Sequence, residues 1–501
     1  MKGSVAFKKA QGHALDTLII TIESFVIAMQ LTNTPWRFHW IGADSSVFRY
    51  VALVMDQGGM PYLTTFDHKG PLVYLINLLG MHIAKLRGIW VLEYVFLFIT
   101  LGFLYGLARL FVNRYLAHIA CAVSSLVIVL NLEGGNFTEE WALPFIACAS
   151  YVLFKYIVKG KMTIPEMAGT GISLGAVLML RVNMIAVWIV GLIVLIILGY
   201  KRNELKQQVL ALLFMLFCAL LTITPFIIWL YMNGAAKEFI HDYIVFNYMY
   251  VDDAELSTFK KIMDILSSLL FFLNNPVVIL AFVAGITSHG KNRGVALTSV
   301  AYLIVTLLTM SISGNRFPHY GMILAPPICA TIAIALYQIM SPSDYKLYSE
   351  AALSYIAIVA VIVSFVIPNW ISLTQAALSQ YSDKPIRYTI DGDAGEAIAL
   401  VTRHTKPDDK ITVYGNRDVV YLASSRMSVS KYSYQSPIAQ KDPRIESEYF
   451  ADLDNQPPAA VVIADNAENI ERMMEFLKVN EYEQVGKTTK GWTIWIPSDS
   501  K

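Results

Sequence analysis

Acidic and basic residues gather in one short stretch of the chain, residues 43 to 72, with apolar segments on both sides. Asp44 lies near the start of the stretch, and Asp67, His68 and Lys69 follow one another near its end. A carboxylate can take a proton from an attacking hydroxyl, and an ammonium group can bind a phosphate. Charge held at a membrane edge usually serves a function, so this stretch is the first candidate active site.

A second set of polar residues falls in later loops, predicted on the same side of a membrane. Acids, cations and a histidine above a helix bundle could bind a phosphate-bearing substrate and activate a hydroxyl. Burying the charge of Arg181 at a membrane edge costs free energy unless an anion lies beside it. That anion is either a substrate phosphate or the carboxylate of Glu93 or Glu139 in a salt bridge. The candidates in this set are Glu139, Glu140, Arg181, Arg316, His319 and Tyr320.

The composition indicates a polytopic membrane protein. Of the 501 residues, 55% are hydrophobic and only 15% are charged, and the mean hydropathy is +0.50. That charged fraction is well below the roughly 25% of an ordinary soluble domain. The formal net charge of +1 gives no basic face for nucleic acid. All four cysteines lie inside apolar runs, so neither a disulfide framework nor a thiolate metal site is expected.

The apolar segments predict about eleven transmembrane helices. A short basic N-terminus precedes the first of them, which places that terminus in the cytoplasm, with a cleaved signal peptide as the alternative. Residues 70 to 84 are too few to span at about 1.5 Å per residue, so they predict a juxtamembrane helix. The spans are predicted near 15 to 31, 89 to 111, 115 to 132, 141 to 158, 166 to 180, 183 to 200, 207 to 231, 264 to 287, 295 to 313, 320 to 340 and 350 to 368.

From about residue 369 the sequence becomes mixed and polar, which predicts an extracytoplasmic α/β domain over 369 to 501 after a transmembrane domain over 1 to 368. It contains no phosphate-cradling Gly-rich loop and no nucleophile elbow, so we assign it acceptor binding or a structural lid. Its predicted elements are strands at 410 to 416, 459 to 465 and 492 to 497 and an amphipathic helix at 469 to 480.

Three ordered motifs in the first outer loop resemble those of the GT-C glycosyltransferases, in particular the protein O-mannosyltransferases and the bacterial aminoarabinose transferase acting on lipid A. That group carries an early Asp, a Gly-x-Pro-Tyr turn and a Lys-Pro-Pro-Leu motif. The matches here are Asp44, residues 59 to 62 and residues 69 to 72. Two departures are Ser45, where close relatives often carry a second acid, and Gly70, where they carry Pro. The resemblance covers most of residues 1 to 368 and implies a GT-C fold.

The resemblance also implies a reaction, an inverting transfer of one sugar from a polyprenyl-phosphate donor of the undecaprenyl type. The acceptor would be a hydroxyl of a bacterial cell-envelope glycan, teichoic acid or lipid on the outer face of the cytoplasmic membrane. Asp44 would be the general base, with a helix N-cap as its alternative role. Lys69 and Arg181 would bind the donor phosphate, with interfacial snorkelling as the alternative for Lys69. Glu139 or Glu140 would assist catalysis, and the substrate would also contact Tyr62, His68, Arg316, His319 and Tyr320.

A divalent cation, Mg or Mn, is a candidate cofactor, with Asp67 and His68 as candidate ligands, although an Asp-His pair alone is a weak metal signal. The rival functions are a transporter or flippase of a lipid-linked precursor and a polymerase of lipid-linked repeat units. Transporters tend to contain paired repeats and broken helices near the bilayer midplane, and the sequence shows no such repeat by eye. The polar residues gather at one face instead, which favours a transferase.

Overall fold

The structure, a computed structural model of the chain, describes residues 2–36, 42–251, 257–288, 292–340, 359–379, 390, 392–436 and 438–498. Its contacts divide the chain into two compact units. The bundle unit comprises Met1–Leu31, Trp90–Pro225 and Leu256–Lys384, and the loop-and-sheet unit comprises Thr32–Ile89, Phe226–Glu255 and Pro385–Lys501. This division follows packing, so the predicted boundary between a transmembrane and an extracytoplasmic domain at residue 368 stays a prediction.

Helices account for most of the described chain, and five short strands lie near its C-terminus. A π-helical segment, Ile240–Val245, joins α10 to α11, and a 3-10 segment, Pro318–Leu324, precedes α15. In chain order the helices are α1 (Lys2–Ala28), α2 (Ala43–Asp56), α3 (Pro71–Ala84), α4 (Gly88–Ala108), α5 (Arg114–Leu130), α6 (Thr138–Lys159), α7 (Ile164–Leu178), α8 (Ala186–Lys201), α9 (Leu205–Met232), α10 (Ala236–Phe239), α11 (Phe246–Val251), α12 (Thr258–Leu273), α13 (Pro276–Ile286), α14 (Arg293–Ser311), α15 (Ala325–Met340), α16 (Ile367–Ser379), α17 (Gly392–His404), α18 (Val419–Ser424), α19 (Pro443–Asn455) and α20 (Ile470–Val479). The strands are β1 (Lys410–Tyr414), β2 (Met427–Ser428), β3 (Val461–Ile463), β4 (Tyr482–Lys487) and β5 (Thr493–Pro497).

Among the described residues, six helical segments are long and apolar enough to cross a membrane, and a bent pair, α12 with α13, makes up to seven. The helices α5, α7 and α8, where three further spans are predicted, are apolar but no longer than 17 residues. The predicted number of eleven stays a prediction, and residues 350–358 of the last predicted span lie outside the described residues. The six segments are Gly88–Ala108, Thr138–Lys159, Leu205–Met232, Arg293–Ser311, Pro318–Ile339 and Val359–Ser379.

The predicted span at 264 to 287 differs from the structure, because α12 and α13 meet there at 88°. Pro276 is the first residue of α13 and has no N–H to continue the hydrogen bonding of α12. The Asn275 side chain caps α13 by accepting a hydrogen bond from the Val277 N–H at 2.9 Å. A hydropathy window does not register a cap inside an apolar run, so the sequence reading missed this break.

The loop-and-sheet unit contains one five-stranded sheet with the strand order β2-β1-β3-β5-β4. Strand β1 runs parallel to β2 and β3, whereas β5 pairs antiparallel with β3 and β4. Val413 lies opposite Val462, which lies opposite Ile494, and all three side chains are fully buried. The predicted strands correspond to β1, β3 and β5 and the predicted helix to α20, whereas β2, β4 and the helices α17 to α19 were not predicted.

Helix α2 of the first loop contributes to the hydrophobic core of this sheet. Tyr50 and Val54, one turn apart on α2, belong to the same buried cluster as Val413 and Ile494. The Tyr50 ring packs on the Tyr421 ring at 4.9 Å between centroids. Because its apolar face packs on the sheet, α2 has a fixed orientation within the loop-and-sheet unit. The predicted juxtamembrane helix at 70 to 84 corresponds to α3.

Candidate active-site residues

The first loop contains a buried carboxylate, Asp67, that is 3% exposed. One oxygen accepts a hydrogen bond from the Tyr74 hydroxyl at 2.9 Å. The other accepts from the Tyr434 hydroxyl at 2.9 Å and from the backbone N–H of His68 at 2.8 Å. Burial raises the pKa of Asp67, and the positive charge of Lys69 and these hydrogen bonds offset only part of that rise. The carboxyl is thereby fixed in place at the start of the predicted phosphate-binding motif.

The chain from Ser428, the last residue of β2, to Tyr434 contacts this loop and holds it. The backbone N–H of Phe66 donates to the Lys431 carbonyl at 2.9 Å, one residue before Asp67. The backbone N–H of Ser428 donates to the Tyr50 hydroxyl at 2.8 Å. With Tyr434 on Asp67, the sheet domain therefore contacts the loop at three points. Residues 428 to 434 thus position the first loop within this unit. The assignment of the α/β region to acceptor binding or a structural lid stays a prediction.

Tyr62 closes the Gly-x-Pro-Tyr turn and is fully buried. Its backbone is left-handed, with φ of 69°, and a Cβ at Gly59 would lie 2.4 Å from a Val54 methyl, so the turn needs glycine at that position. The Tyr62 hydroxyl donates to the Lys69 carbonyl at 2.7 Å, and the Tyr74 hydroxyl, whose single hydrogen is shared with Asp67, lies 3.1 Å from the same oxygen. Tyr62 thus fixes the backbone of Lys69, and its predicted contact with substrate stays a prediction.

His68 and Lys69 project from this fixed backbone with half-buried side chains. The His68 ring stacks on Phe246 at 5.3 Å, and the His68 carbonyl accepts a hydrogen bond from the Asn247 side chain at 2.7 Å. The Lys69 ammonium contacts Nε2 of His68. Two residues of α11, which is distant in sequence, therefore help to orient the side chains of His68 and Lys69.

Asp44 lies in the first turn of α2 and is half-buried. Gly42 occupies the N-cap position, so the alternative role of Asp44 as N-cap is not what the structure shows, although a carboxylate in the first turn still suits the positive helix end. Within the part of the chain that the structure describes, its carboxylate makes no hydrogen bond or ion pair. Burial raises the pKa of the Tyr434 hydroxyl, and the negative charges of Asp67 and Asp418 raise it further. Asp44 is close enough to Tyr434 that its charge makes a smaller contribution in the same direction.

In the bundle unit, Glu139 and Arg181 form a buried ion pair. Nη1 of Arg181 donates to Glu139 at 2.5 Å, and Nη2 donates to the Tyr320 hydroxyl at 2.6 Å. The guanidinium also lies over the Tyr320 ring, 4.2 Å from its centroid. Of the two partners predicted for Arg181, the salt bridge is therefore present and involves Glu139. Its role in binding a substrate phosphate stays a prediction.

Glu140 binds the loop before α6, whereas Glu139 binds Arg181. Its carboxylate accepts the backbone N–H of Asn136 at 2.8 Å, while the Asn136 side chain accepts from the Trp141 indole at 2.9 Å. Residues 133 to 136 all have positive φ, from 43° to 96°, so the loop before α6 is tightly wound and needs this bond. A Cβ at Gly135 would lie 2.5 Å from a Glu93 oxygen and 3.5 Å from Glu140, which places these two acids side by side. Glu140 thus holds the loop, and Glu139 holds Arg181.

His319 is buried next to Tyr320, the hydroxyl partner of Arg181. Arg316 lies apart from these residues. Nδ1 of His319 lies 2.7 Å from the Glu133 carboxylate, which also accepts the His319 backbone N–H at 3.1 Å. The ring stacks on Phe137 at 4.1 Å. Burial raises the pKa of Glu133, but the contacts with His319 outweigh it and hold that pKa below its usual range. Arg316 is exposed and donates to the Ser267 hydroxyl at 3.3 Å.

Asp418 is a further buried acid that the sequence analysis missed. It is fully buried, and one oxygen accepts the Ser433 hydroxyl at 2.6 Å. Its other oxygen has no hydrogen-bond partner among the described residues. Burial raises the pKa of Asp418 to about 7. The Tyr-Ser-Tyr sequence at 432 to 434 does not indicate an acid at position 418 or a contact with the first loop.

No group of three or more His, Cys, Asp or Glu side chains that could hold a metal ion occurs among the described residues. Both Asp67 oxygens already accept hydrogen bonds from protein groups. Asp67 and His68 thus supply at most two ligands, fewer than a protein metal site normally uses. A metal at these residues stays a prediction, and we assign no step to one.

The fold is similar to that of solved membrane proteins. The chain is similar to ArnT from Cupriavidus metallidurans bound to undecaprenyl phosphate, with 13% identity, a TM-score of 0.63, and coverage of 97% of this chain and 98% of that one. The apo form of that protein gives 14% identity, a TM-score of 0.56 and the same coverage. This likeness confirms the predicted fold class, a polytopic helical membrane protein of the GT-C fold with a small α/β domain.

A weaker likeness exists to the archaeal oligosaccharyltransferase AglB from Archaeoglobus fulgidus in complex with an inhibitory peptide and a dolichol-phosphate. It has 12% identity and a TM-score of 0.47, over 89% of this chain and 69% of that one. Comparison of the sequence with curated proteins gives no match. A family model, described as the competence-induced protein Ccs4 N-terminal domain, matches residues 8–350. That match covers more than half of the sequence, so the chain belongs to the Ccs4 N-terminal domain family.

Proposed function

We propose that the chain is a membrane glycosyltransferase that moves a single sugar from a polyprenyl-phosphate donor to a hydroxyl of a cell-envelope acceptor. The fold likeness to a protein solved with undecaprenyl phosphate supports the donor class. The acceptor would be a glycan, a teichoic acid or a lipid, on the outer face of the cytoplasmic membrane. In this orientation the N-terminus is cytoplasmic and the α/β domain is extracytoplasmic, as the positive-inside rule favours.

The observation that carries the proposal is the way in which the first loop holds Lys69. The Tyr62 hydroxyl donates to the Lys69 carbonyl, the Tyr434 hydroxyl donates to the Asp67 carboxyl, and the Tyr74 hydroxyl lies between these two acceptors and shares its hydrogen with both. The Lys69 side chain is nevertheless half exposed. A partly exposed cation on a rigid backbone suits the binding of a phosphate that must later leave.

In the proposed reaction the acceptor oxygen attacks the anomeric carbon from the face opposite the phosphate. The new bond joins that carbon to the acceptor oxygen, and the bond from the carbon to the phosphate oxygen breaks. Asp44 takes the acceptor proton, and Lys69 stabilises the charge that develops on the departing polyprenyl phosphate. Attack from the opposite face inverts the anomeric configuration. The lack of a hydrogen-bond partner for Asp44 among the described residues supports its role as the base.

We propose secondary roles for the acids and aromatic residues of the bundle unit. Glu139 would orient the substrate through Arg181, which keeps further N–H donors for a phosphate beyond the bonds to Glu139 and Tyr320. His319 and Tyr320 would contact the sugar, and Arg316, being exposed, would contact an acceptor or carrier at the rim. Glu140 would act only through the loop that it holds.

The test uses the purified wild type and the Asp44→Asn variant in detergent, with a panel of polyprenyl-phosphate sugars and a membrane glycan extract. Release of polyprenyl phosphate is measured. We expect release from one donor, falling by about 10² to 10⁴-fold in Asp44→Asn, since this variant keeps the shape and loses the basicity. If no donor is turned over and lipid-linked precursor crosses liposomes only with the protein present, the chain is a transporter. A ladder of repeated additions would identify a polymerase.

A further inference from the structure

A cationic cavity lies in the bundle unit, at the opposite end of α6 from the ion pair of Glu139 and Arg181. At about 1.5 Å per residue, Glu139 and Lys159 at the two ends of α6 are roughly 30 Å apart. The cavity has a volume of about 600 Å³ and lies between α1, α4, α5 and α6. Residues that line it include Asp16, Tyr105, Arg109, Arg114, Tyr151 and Lys159.

The cations of this cavity are held in defined positions. Arg114 donates to the Asp16 carboxylate at 2.9 Å and to the Gly12 carbonyl at 2.8 Å. The Arg109 guanidinium donates to the Val112 carbonyl, which anchors it just beyond the end of α4. Preorganised guanidinium groups lose little side-chain entropy when they bind an anion.

The charge in the cavity is unbalanced. Asp16 is the one acid among its lining residues, and both Arg114 and Nε2 of His118, at 3.1 Å, already contact that carboxylate. Lys159 is exposed, and within the described part of the chain its ammonium has no hydrogen bond or ion pair. Three cations thus face one engaged carboxylate. The positive-inside rule accounts for the sign of the nearby loops, but it does not require four helices to surround a cavity.

We infer that this cavity binds a phosphate group, that of an anionic phospholipid headgroup or of a free phosphate compound. Arg109, Arg114 and Lys159 would contact the phosphate oxygens, and the hydroxyl of Tyr151 would contact the glycerol or a similar group. The predicted topology places the cavity at the cytoplasmic leaflet, where anionic lipids concentrate and where basic cavities between transmembrane helices bind headgroups. The inference does not depend on the proposed glycosyl transfer.

The test measures the unfolding temperature of the full-length chain in a neutral detergent as it is titrated with short-chain phosphatidylglycerol, short-chain phosphatidylcholine or inorganic phosphate. The variant is Lys159→Gln, and the matched control is Lys161→Gln, which removes an exposed charge two residues away, outside the residues that line the cavity. Both variants should unfold at the wild-type temperature without ligand.

We expect phosphatidylglycerol to stabilise the wild type, phosphatidylcholine to have no effect, and Lys159→Gln to weaken the apparent affinity about fivefold. The charge reversal Lys159→Glu should weaken it further, to about twentyfold, whereas Lys161→Gln should remain close to the wild type. Stabilisation by inorganic phosphate at millimolar concentration, lost in the same variant, would identify a free phosphate as the ligand and would also support the site. Equal responses of Lys159→Gln and Lys161→Gln, or equal stabilisation by both lipids, would overturn the inference.

Discussion

In the loop-and-sheet unit the buried carboxyl of Asp67 accepts hydrogen bonds from neutral tyrosine hydroxyls, whereas in the bundle unit the buried carboxyl of Glu139 pairs with the guanidinium of Arg181. Hydroxyls orient a carboxylate without neutralising it, and the pKa of Asp67 is accordingly raised by burial. The guanidinium of Arg181 neutralises Glu139 and uses one of its N–H donors to do so. The chain thus positions one buried acid with neutral hydroxyl groups and another with a cation.

The comparison extends to the two cations predicted to bind the donor phosphate. Lys69 is fixed through its backbone carbonyl and contacts His68 with its side chain, while Arg181 is fixed through its side chain by Glu139 and Tyr320. Lys69 therefore presents a partly exposed, charged side chain from a fixed backbone. We therefore expect substitutions of Lys69 to affect mainly turnover, and substitutions of Arg181 to affect stability in addition to donor binding.

The largest effect should come from breaking the ion pair of the bundle unit. Arg181→Met leaves Glu139 buried without its cation, so we expect a loss of about 3 to 5 kcal/mol in the free energy of unfolding. Thermal unfolding in detergent measures it. The double variant Glu139→Gln with Arg181→Met should recover most of the loss, because no uncompensated charge remains. A single variant as stable as the wild type would contradict the ion-pair description.

Next in size is the effect of removing the charge of Lys69. Lys69→Met keeps most of the length of the side chain and removes its charge, and we expect kcat/KM for the donor to fall about 100-fold with little change in unfolding temperature. Lys85→Met, at the exposed C-terminal end of α3, is the matched control and should retain wild-type kinetics. A fall in stability that accounts for the lost activity would assign Lys69 a structural role instead.

Asp418 provides a pH test in the loop-and-sheet unit. Its pKa is raised by burial to about 7 in the folded chain, so between pH 4 and 7 the folded chain holds a proton that the unfolded chain releases. Stability from this group is therefore greatest at low pH and is lost as the pH rises through 7, by about 2 kcal/mol between pH 5.5 and 8. Asp418→Asn should abolish that share of the pH dependence of the unfolding temperature. The exposed Asp408→Asn should leave it intact, and an unchanged profile in Asp418→Asn would refute the assignment.

The smallest effect should come from one hydroxyl. Tyr434→Phe removes one of the hydrogen bonds to Asp67, and we expect a loss of about 1.5 kcal/mol in stability together with a severalfold rise in KM for the donor. Tyr482→Phe is the control, because that buried hydroxyl donates to the Pro458 carbonyl in the same unit and should lower stability alone. Equal KM values for the two variants would show that Tyr434 does not position the first loop for substrate.

The fold class was predictable because apolar runs and strand patterns are local signals. The run at 70 to 84 was too short to span and is α3, and the alternating and buried segments near 411 and 461 are strands of the sheet. The break between α12 and α13 was not predictable from hydropathy, since Asn275 and Pro276 interrupt a run that stays apolar.

The candidate site was predictable only as far as single residues and short motifs go. Sequence spacing gathered Asp67, His68 and Lys69, but it gave no sign that Tyr434 would approach Asp67 across 367 positions. The sequence also did not indicate which of Glu139 and Glu140 binds Arg181, because this depends on which carboxylate lies next to the guanidinium after the chain folds. Long-range polar contacts follow from tertiary packing, and a single sequence does not encode them as a local pattern.

We propose that Asp44 removes the acceptor proton, and a single-turnover measurement can test this role. With the donor identified and the enzyme in excess, sugar transfer and donor binding would be measured for the wild type, Asp44→Asn and Asp56→Asn. Asp56 lies at the other end of α2 and pairs with His82 at 2.7 Å, so its variant controls for the loss of an acid from this helix. We predict that Asp44→Asn binds donor normally and transfers sugar about 10² to 10⁴-fold more slowly, while Asp56→Asn transfers at the wild-type rate. Transfer by Asp44→Asn at the wild-type rate would contradict the account.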